Sequence, residues 1–183
     1  MAHEFSTSYL ADSIALFHYY KHLGERAMEQ LSDSELYTAL DGEGNSVAVI
    51  VKHMAGNMRS RWTDFLTTDG EKSDRNRDAE FEGESTGSRE DLMRRWESGW
   101  KVVFDALAPL ADSDLSTKVF IRSEPHSVMQ AINRQIAHYS YHVGQIVFLA
   151  KHLHSSDWKV LTVPRGKSAA FNKDVAEGKT SQR

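Results

Sequence analysis

Gln135-Ile136-Ala137-His138-Tyr139-Ser140-Tyr141-His142-Val143-Gly144-Gln145 is the stretch on which the reading of this chain turns. His138 and His142 stand four residues apart, which on a helix puts their Cβ atoms roughly 5–6 Å from each other on one face. Two imidazoles so placed can converge on one metal ion, whose bonds to histidine nitrogen are about 2.0–2.1 Å long. The flanks are apolar on nearly every side: Met129, Ile132, Ile136, Val143, Ile146, Val147, Phe148 and Leu149. A helix apolar all round is expected to be buried in a bundle. One polar row, Gln135, His138, His142 and Gln145, runs along it at steps of three and four. Buried polar groups need partners. Histidines hydrogen-bonded within a core satisfy that rule as well as a metal does, so a metal reading requires a third ligand from elsewhere.

The totals bound the rest. A chain of 183 residues is expected to form one domain, here residues 1–176 with a disordered tail at 177–183. Its net charge is −4 and its pI about 6.1, so no basic surplus points to nucleic acid or to an anionic membrane. No apolar run reaches the roughly 18 residues of a spanning helix. Residues 1–6 lack the basic start and apolar core of a signal peptide. There is no cysteine, which excludes disulfides, thiolate metal sites, iron–sulfur clusters and a cysteine nucleophile. No other residue is identified as a catalytic nucleophile. These features favour a cytoplasmic location, and any transition metal must rest on histidine and oxygen ligands.

Taken in order, residues 7–31 read as a first helix, with Leu10, Ile14, Phe17, Gly24, Ala27, Met28 and Leu31 at helical spacing. It carries a second histidine pair, His18 and His22, but that row continues into Glu25 and Glu29 and is read as solvated. After a turn-rich connection, Asn45 or Ser46 caps a second helix running to about Leu66. His53 lies beside its apolar stripe with Asn57 one turn on, and Arg59 and Arg61 follow. Residues 67–87 are acidic, with no apolar period, and are expected to form a long solvated loop. Ser88 to Asp91 begins a third helix that stops near Pro109. Lys118–Arg122 is a short β-prone piece, and the fourth helix is the one described above. The tail from 155 has no helical pattern, but Trp158, Val160, Leu161, Val163 and Phe171 anchor it. The fold class expected is all-α: a four-helix bundle with long connections and a packed non-helical C-terminal tail. Bundles of this kind build metal sites from facing helices.

The arrangement resembles the DinB-like superfamily of metalloenzymes over roughly residues 8–153. The carriers are Val51-Lys52-His53-Met54-Ala55-Gly56-Asn57, Trp62 nine residues after the histidine, and His138-Tyr139-Ser140-Tyr141-His142-Val143-Gly144-Gln145-Ile146. The tail from Trp158 to Asn172 is similar to an uncharacterised branch of that superfamily. The resemblance implies that His53, His138 and His142 bind a divalent metal and that the protein is a homodimer; His18 and His22 have no counterpart. Zinc is the simplest ion, and nickel, iron or manganese suit the same ligand types. Three neutral ligands with an open position are the catalytic rather than the structural pattern.

Relatives within that superfamily include transferases that join low-molecular-weight bacterial thiols to electrophiles. A bacillithiol- or mycothiol-type S-transferase is therefore the expected activity, with a low-molecular-weight thiol as partner. Asn57, Gln135 and Gln145 would orient ligands or substrate, and Arg59, Arg61 and Arg165 would grip a carboxylate on the thiol. A metal-dependent hydrolase is the first alternative. No glutamate follows His138 in the manner of the zinc proteases, although Asp64 could serve as a base. A non-catalytic dimeric helical bundle is the second.

Overall fold

The computed structural model describes residues 5–83 and 86–181. The described chain is mostly helical. α1 (Tyr9–Met28) is followed by the single turn α2 (Asp33–Leu36), then α3 (Val47–Trp62) and α4 (Arg89–Leu107). A hairpin of β1 (Lys118–Ile121) and β2 (Glu124–Ser127) leads into α5 (Val128–His154), and α6 (Ser168–Ala176) closes the chain. Serine caps the first five helices. Ser8, Ser32, Ser46, Ser88 and Ser127 each accept a hydrogen bond from a backbone N–H of the first turn. Such caps contribute about 1 kcal/mol apiece.

The four long helices share one apolar core. α1 lies along α5, α3 lies along α4, and α3 also meets α5. Each contributes an aromatic ring to the centre. Phe17 of α1 sits 6.2 Å from Trp62 of α3, 6.2 Å from Trp100 of α4 and 5.8 Å from Tyr139 of α5, centroid to centroid. Two of the polar ends are satisfied internally: the Trp62 indole N–H donates to the Tyr139 hydroxyl at 3.0 Å, and that hydroxyl donates to Asn57 Oδ1 at 3.3 Å, whereas the buried Trp100 indole N–H has no hydrogen-bond partner among the described residues. α4 can approach α3 closely because Gly99 has no side chain; a Cβ there would lie 3.0 Å from the Ala55 Cα.

Several sequence expectations change. α3 ends at Trp62 rather than near Leu66, because Thr63 is extended and Asp64 adopts a left-handed backbone (φ 48°) that the helix cannot continue through. α5 is not buried all round: Met129 is 42% and Phe148 63% exposed. The tail is not wholly non-helical, since Ser168–Ala176 is α6. Its residues make no apolar stripe, but Gly178 (φ 69°) just past its end receives the chain in the conformation that stops helices. The Lys179 N–H then closes the turn on the Asp174 carbonyl at 2.8 Å. The tail expected to be disordered from 177 carries this turn at its start. Residues 182–183 of that tail, residues 1–4 of the signal-peptide reading, and Glu84 of the acidic loop lie outside the described residues.

The β-prone piece does pair. Its two-residue turn, Arg122 and Ser123, takes positive φ at both positions (56° and 65°), as tight hairpins require, yet neither is glycine or asparagine. Asp69 explains how: its carboxylate accepts from the Arg122 N–H at 2.8 Å and the Ser123 N–H at 2.7 Å. Burial would raise the Asp69 carboxyl, but its backbone donors at Glu71, Ser123 and Arg122 hold it below the usual carboxylate range. Among the described residues no helix is long and apolar enough to cross a membrane.

Candidate metal centre

α3 and α5 bring the three histidines together. His53 and His142 are buried and His138 half-buried, and one ligand atom from each lies within 4.8 Å of the others. His53 Nε2 is 3.3 Å from His138 Nε2, and His142 Nε2 is 3.1 Å from the same atom. The edge between two nitrogens of a tetrahedral site with bonds of about 2.0–2.1 Å is roughly 3.3–3.4 Å.

The protons decide what this cluster can hold. His53 Nδ1 faces Glu80 Oε2 at 2.8 Å, and His142 Nδ1 faces Gln145 Oε1 at 2.8 Å. Both partners are acceptors, so each Nδ1 donates, and in the neutral ring each Nε2 is then a lone pair. His138 Nε2 carries at most one proton for the two lone pairs pointing at it. A shared cation satisfies all three nitrogens, and the residues fit a divalent metal ion.

Burial pushes His138 down to about 3, with the neighbouring His142 and His53 adding to the effect. Burial also lowers His142, against the opposing effect of its hydrogen bond to Gln145. Both shifts favour the neutral form of His138 and His142, the form that binds a metal. In metal-stripped protein between pH 6.5 and 3, the unfolded chain binds a proton at residue 138 that the folded chain does not. Stability should be complete above about pH 6.5 and decline as pH falls toward 3, by at most about 1.4 kcal/mol per pH unit from this residue. Urea midpoints measured across that range should fall less steeply in His138→Gln.

Glu80 is the functional residue that sequence reasoning missed. It sits in the acidic loop expected to be solvated, yet it is only 7% exposed. Arg75 grips it with two hydrogen bonds of 2.8 Å, from Nε to Oε1 and from an Nη to Oε2. Burial would raise the Glu80 carboxyl, but Arg75 and His53 hold it below the usual range, so it stays an anion. The loop is thus a strap across α3, and Phe81 beside Glu80 packs its ring 4.6 Å from that of His53. The signal was Gly56, three residues after His53 and on the same helix face: a Cβ there would stand 2.8 Å from the Glu80 Cδ. Glu80→Gln should weaken metal binding by about 10–100-fold, the usual effect of losing a carboxylate behind a ligating histidine. Gly56→Ala should do likewise with every ligand in place. Chelator competition measures both.

The remaining sequence candidates divide. Gln145 accepts a hydrogen bond from His142 Nδ1 at 2.8 Å. Asn57 and Gln135 hydrogen-bond to no histidine: Asn57 accepts from the Tyr139 hydroxyl, and Gln135 lines a cavity of about 10 Å³ with Arg61 under the hairpin. Arg61 is buried, donating to the Gly70 carbonyl and, at 2.9 Å, to Glu71. Arg59 is exposed and 3.7 Å from Asp74. Arg165 stands in the exposed turn before α6. His18 and His22 are exposed as expected, His18 stacked on Phe104 at 3.9 Å. A cleft of about 350 Å³ between Phe65–Asp69 and the hairpin contains none of the three ligand histidines.

Fold and cluster define a mostly helical protein with a three-histidine group able to hold a metal ion. The chain belongs to the family described as Protein of unknown function (DUF1572), whose model matches residues 4–167. No curated protein matches the chain, and no solved structure does.

Proposed function

We propose that this protein is a metal-dependent enzyme of DinB-like type, a four-helix bundle whose His53, His138 and His142 hold a divalent ion, with zinc the simplest choice. The observation that carries the reading is the convergence of His53 Nε2 and His142 Nε2 on His138 Nε2 at 3.3 and 3.1 Å. The half-buried His138 gives the cluster an edge toward solvent, which suits catalysis better than a closed structural site.

The reaction best supported is thiol S-transfer. The thiol loses its S–H proton to solvent, a sulfur–carbon bond forms, and the electrophile's leaving group departs with its bonding pair. A divalent ion would supply Lewis acidity that favours the ionised form of the thiol. The protein side of the site supports this reading over hydrolysis because it offers no free base. Glu80 is committed to Arg75 and His53. Asp64 lies beyond the end of α3, whose last residue, Trp62, is nine residues after His53, roughly 13–14 Å along the helix at 1.5 Å per residue.

The homodimer implied by the resemblance has a surface to use: Ala137, Gly144 and Phe148 form an exposed stripe on α5. Light scattering tests it.

The test of function is turnover of a generic electrophile by metal-loaded protein with bacillithiol or mycothiol. A rate above the metal-free control is expected. Turnover of esters, amides or phosphates without any thiol would favour the hydrolase instead. Failure on all of these would leave the non-catalytic bundle.

A further inference from the structure

The ion pairs of the strap form one connected chain that ends on a ligand histidine. Glu71 Oε2 accepts from Arg61 of α3 at 2.9 Å and from Arg122 of the hairpin turn at 2.8 Å. Its other oxygen, Oε1, faces an Nη of Arg75 at 3.5 Å. Arg75 then forks onto Glu80, with Nε on Oε1 and its second Nη on Oε2, both at 2.8 Å. Glu80 Oε2 faces His53 Nδ1 at 2.8 Å. Arg75 is the middle link, and its side chain is only 3% exposed.

Each contact removes a freedom that would otherwise reach the metal. A carboxylate held through one oxygen can still rotate about its last bond and swing that oxygen away from His53. A planar guanidinium bonded to both oxygens in parallel fixes the plane of the carboxylate as well as its place. Glu80 fits there because Gly56 has no side chain. The His53 ring is held on its edge by Glu80 and packs against Phe81, and the Arg77 guanidinium lies over the Phe81 ring at 4.9 Å. So held, His53 turns Nε2 toward His138 Nε2. Charge alone works the other way. A guanidinium near a divalent ion repels it, so any help Arg75 gives the ion must pass through Glu80.

We infer that Arg75 is a positioning residue of the three-histidine centre: its fork fixes the Glu80 carboxylate, and Glu80 in turn fixes the His53 ring in the direction that binds metal. The inference rests on the metal reading proposed above. It adds to that reading a residue one step behind the Glu80 contact, and through Glu71 it ties the centre to Arg61 of α3 and to Arg122 of the hairpin.

The test titrates full-length protein with cobalt(II) against a chelator, in a wild-type and in a Glu80→Ala background. Arg75→Met keeps an unbranched side chain and removes the fork. It should weaken cobalt binding by about 10–100-fold in the wild-type background, the usual effect of losing a group behind a ligating histidine. In the Glu80→Ala background the same change should alter affinity by less than about twofold, since the carboxylate it aims is gone. Arg75→Lys keeps the charge without the planar fork and should weaken binding too, by a smaller factor. Cobalt affinity unchanged or raised in Arg75→Met would overturn the inference and leave the metal reading standing. An equal loss in both backgrounds would overturn it as well, because it marks a purely structural role. If Arg75→Met does not fold, Arg75→Lys decides alone, and unchanged affinity there overturns the inference. Wild-type protein that takes up no cobalt would overturn both.

Discussion

Protein purified without chelating resin should carry about one divalent ion per chain, and His53→Ala should carry none. His53 is the only one of the three ligand histidines supplied by α3, and it stands 85 residues from His138 in sequence. Its removal leaves two nitrogens one helical turn apart, without the third that closes the set. The loss of affinity should exceed the roughly 10–100-fold expected of a residue behind a ligand, such as Glu80.

A thermal readout follows from linkage. Free metal at 1,000 times its dissociation constant stabilises the native state by about 4 kcal/mol. For a chain of this size that is an increase in Tm of roughly 8–16 °C. The increase should be absent in His53→Ala and intact in His18→Ala, whose imidazole is exposed and stacked on Phe104. If wild-type protein neither carries a divalent ion nor responds to zinc, nickel, iron or manganese, the metal centre is refuted.

Phe17→Ala should be among the most destabilising single changes outside the metal site. The ring is fully buried and touches the aromatic side chains of the three other long helices. Removing a buried Phe side chain costs about 3–5 kcal/mol through lost burial and the cavity left behind, or roughly 6–20 °C in Tm. Leu40→Ala, at a position 41% exposed, should stay within about 0.5 kcal/mol. Urea denaturation of the two variants compares them directly. Equal midpoints would mean that the four helices do not share the single core described.

The helices were legible because their signals are local. Apolar spacing along residues 9–28, 47–62, 89–107 and 128–154 and the serines before them are properties of neighbouring residues. His138 and His142 were legible for the same reason, since a helix alone places them one turn apart. α6 was missed because Ser168–Ala176 carries little apolar pattern, although Gly178 marks its end. The acidic loop misled because composition reports average solvation. Burial of Glu80 depends on Arg75 within the loop and on the absence of a side chain at Gly56 in another element.

By itself, then, the amino-acid order determined where the long helices run, which side of α5 is polar, and that any metal here must be held without thiolates. Only the tertiary packing decided that His53 meets the other two, that Arg61 is buried against Gly70 and Glu71, and that Glu80 and Gln145 face the Nδ1 atoms of two imidazoles. Helical periodicity acts over a few residues, whereas a hydrogen bond from His53 to Glu80, 27 residues apart, exists only after the chain has folded back on itself.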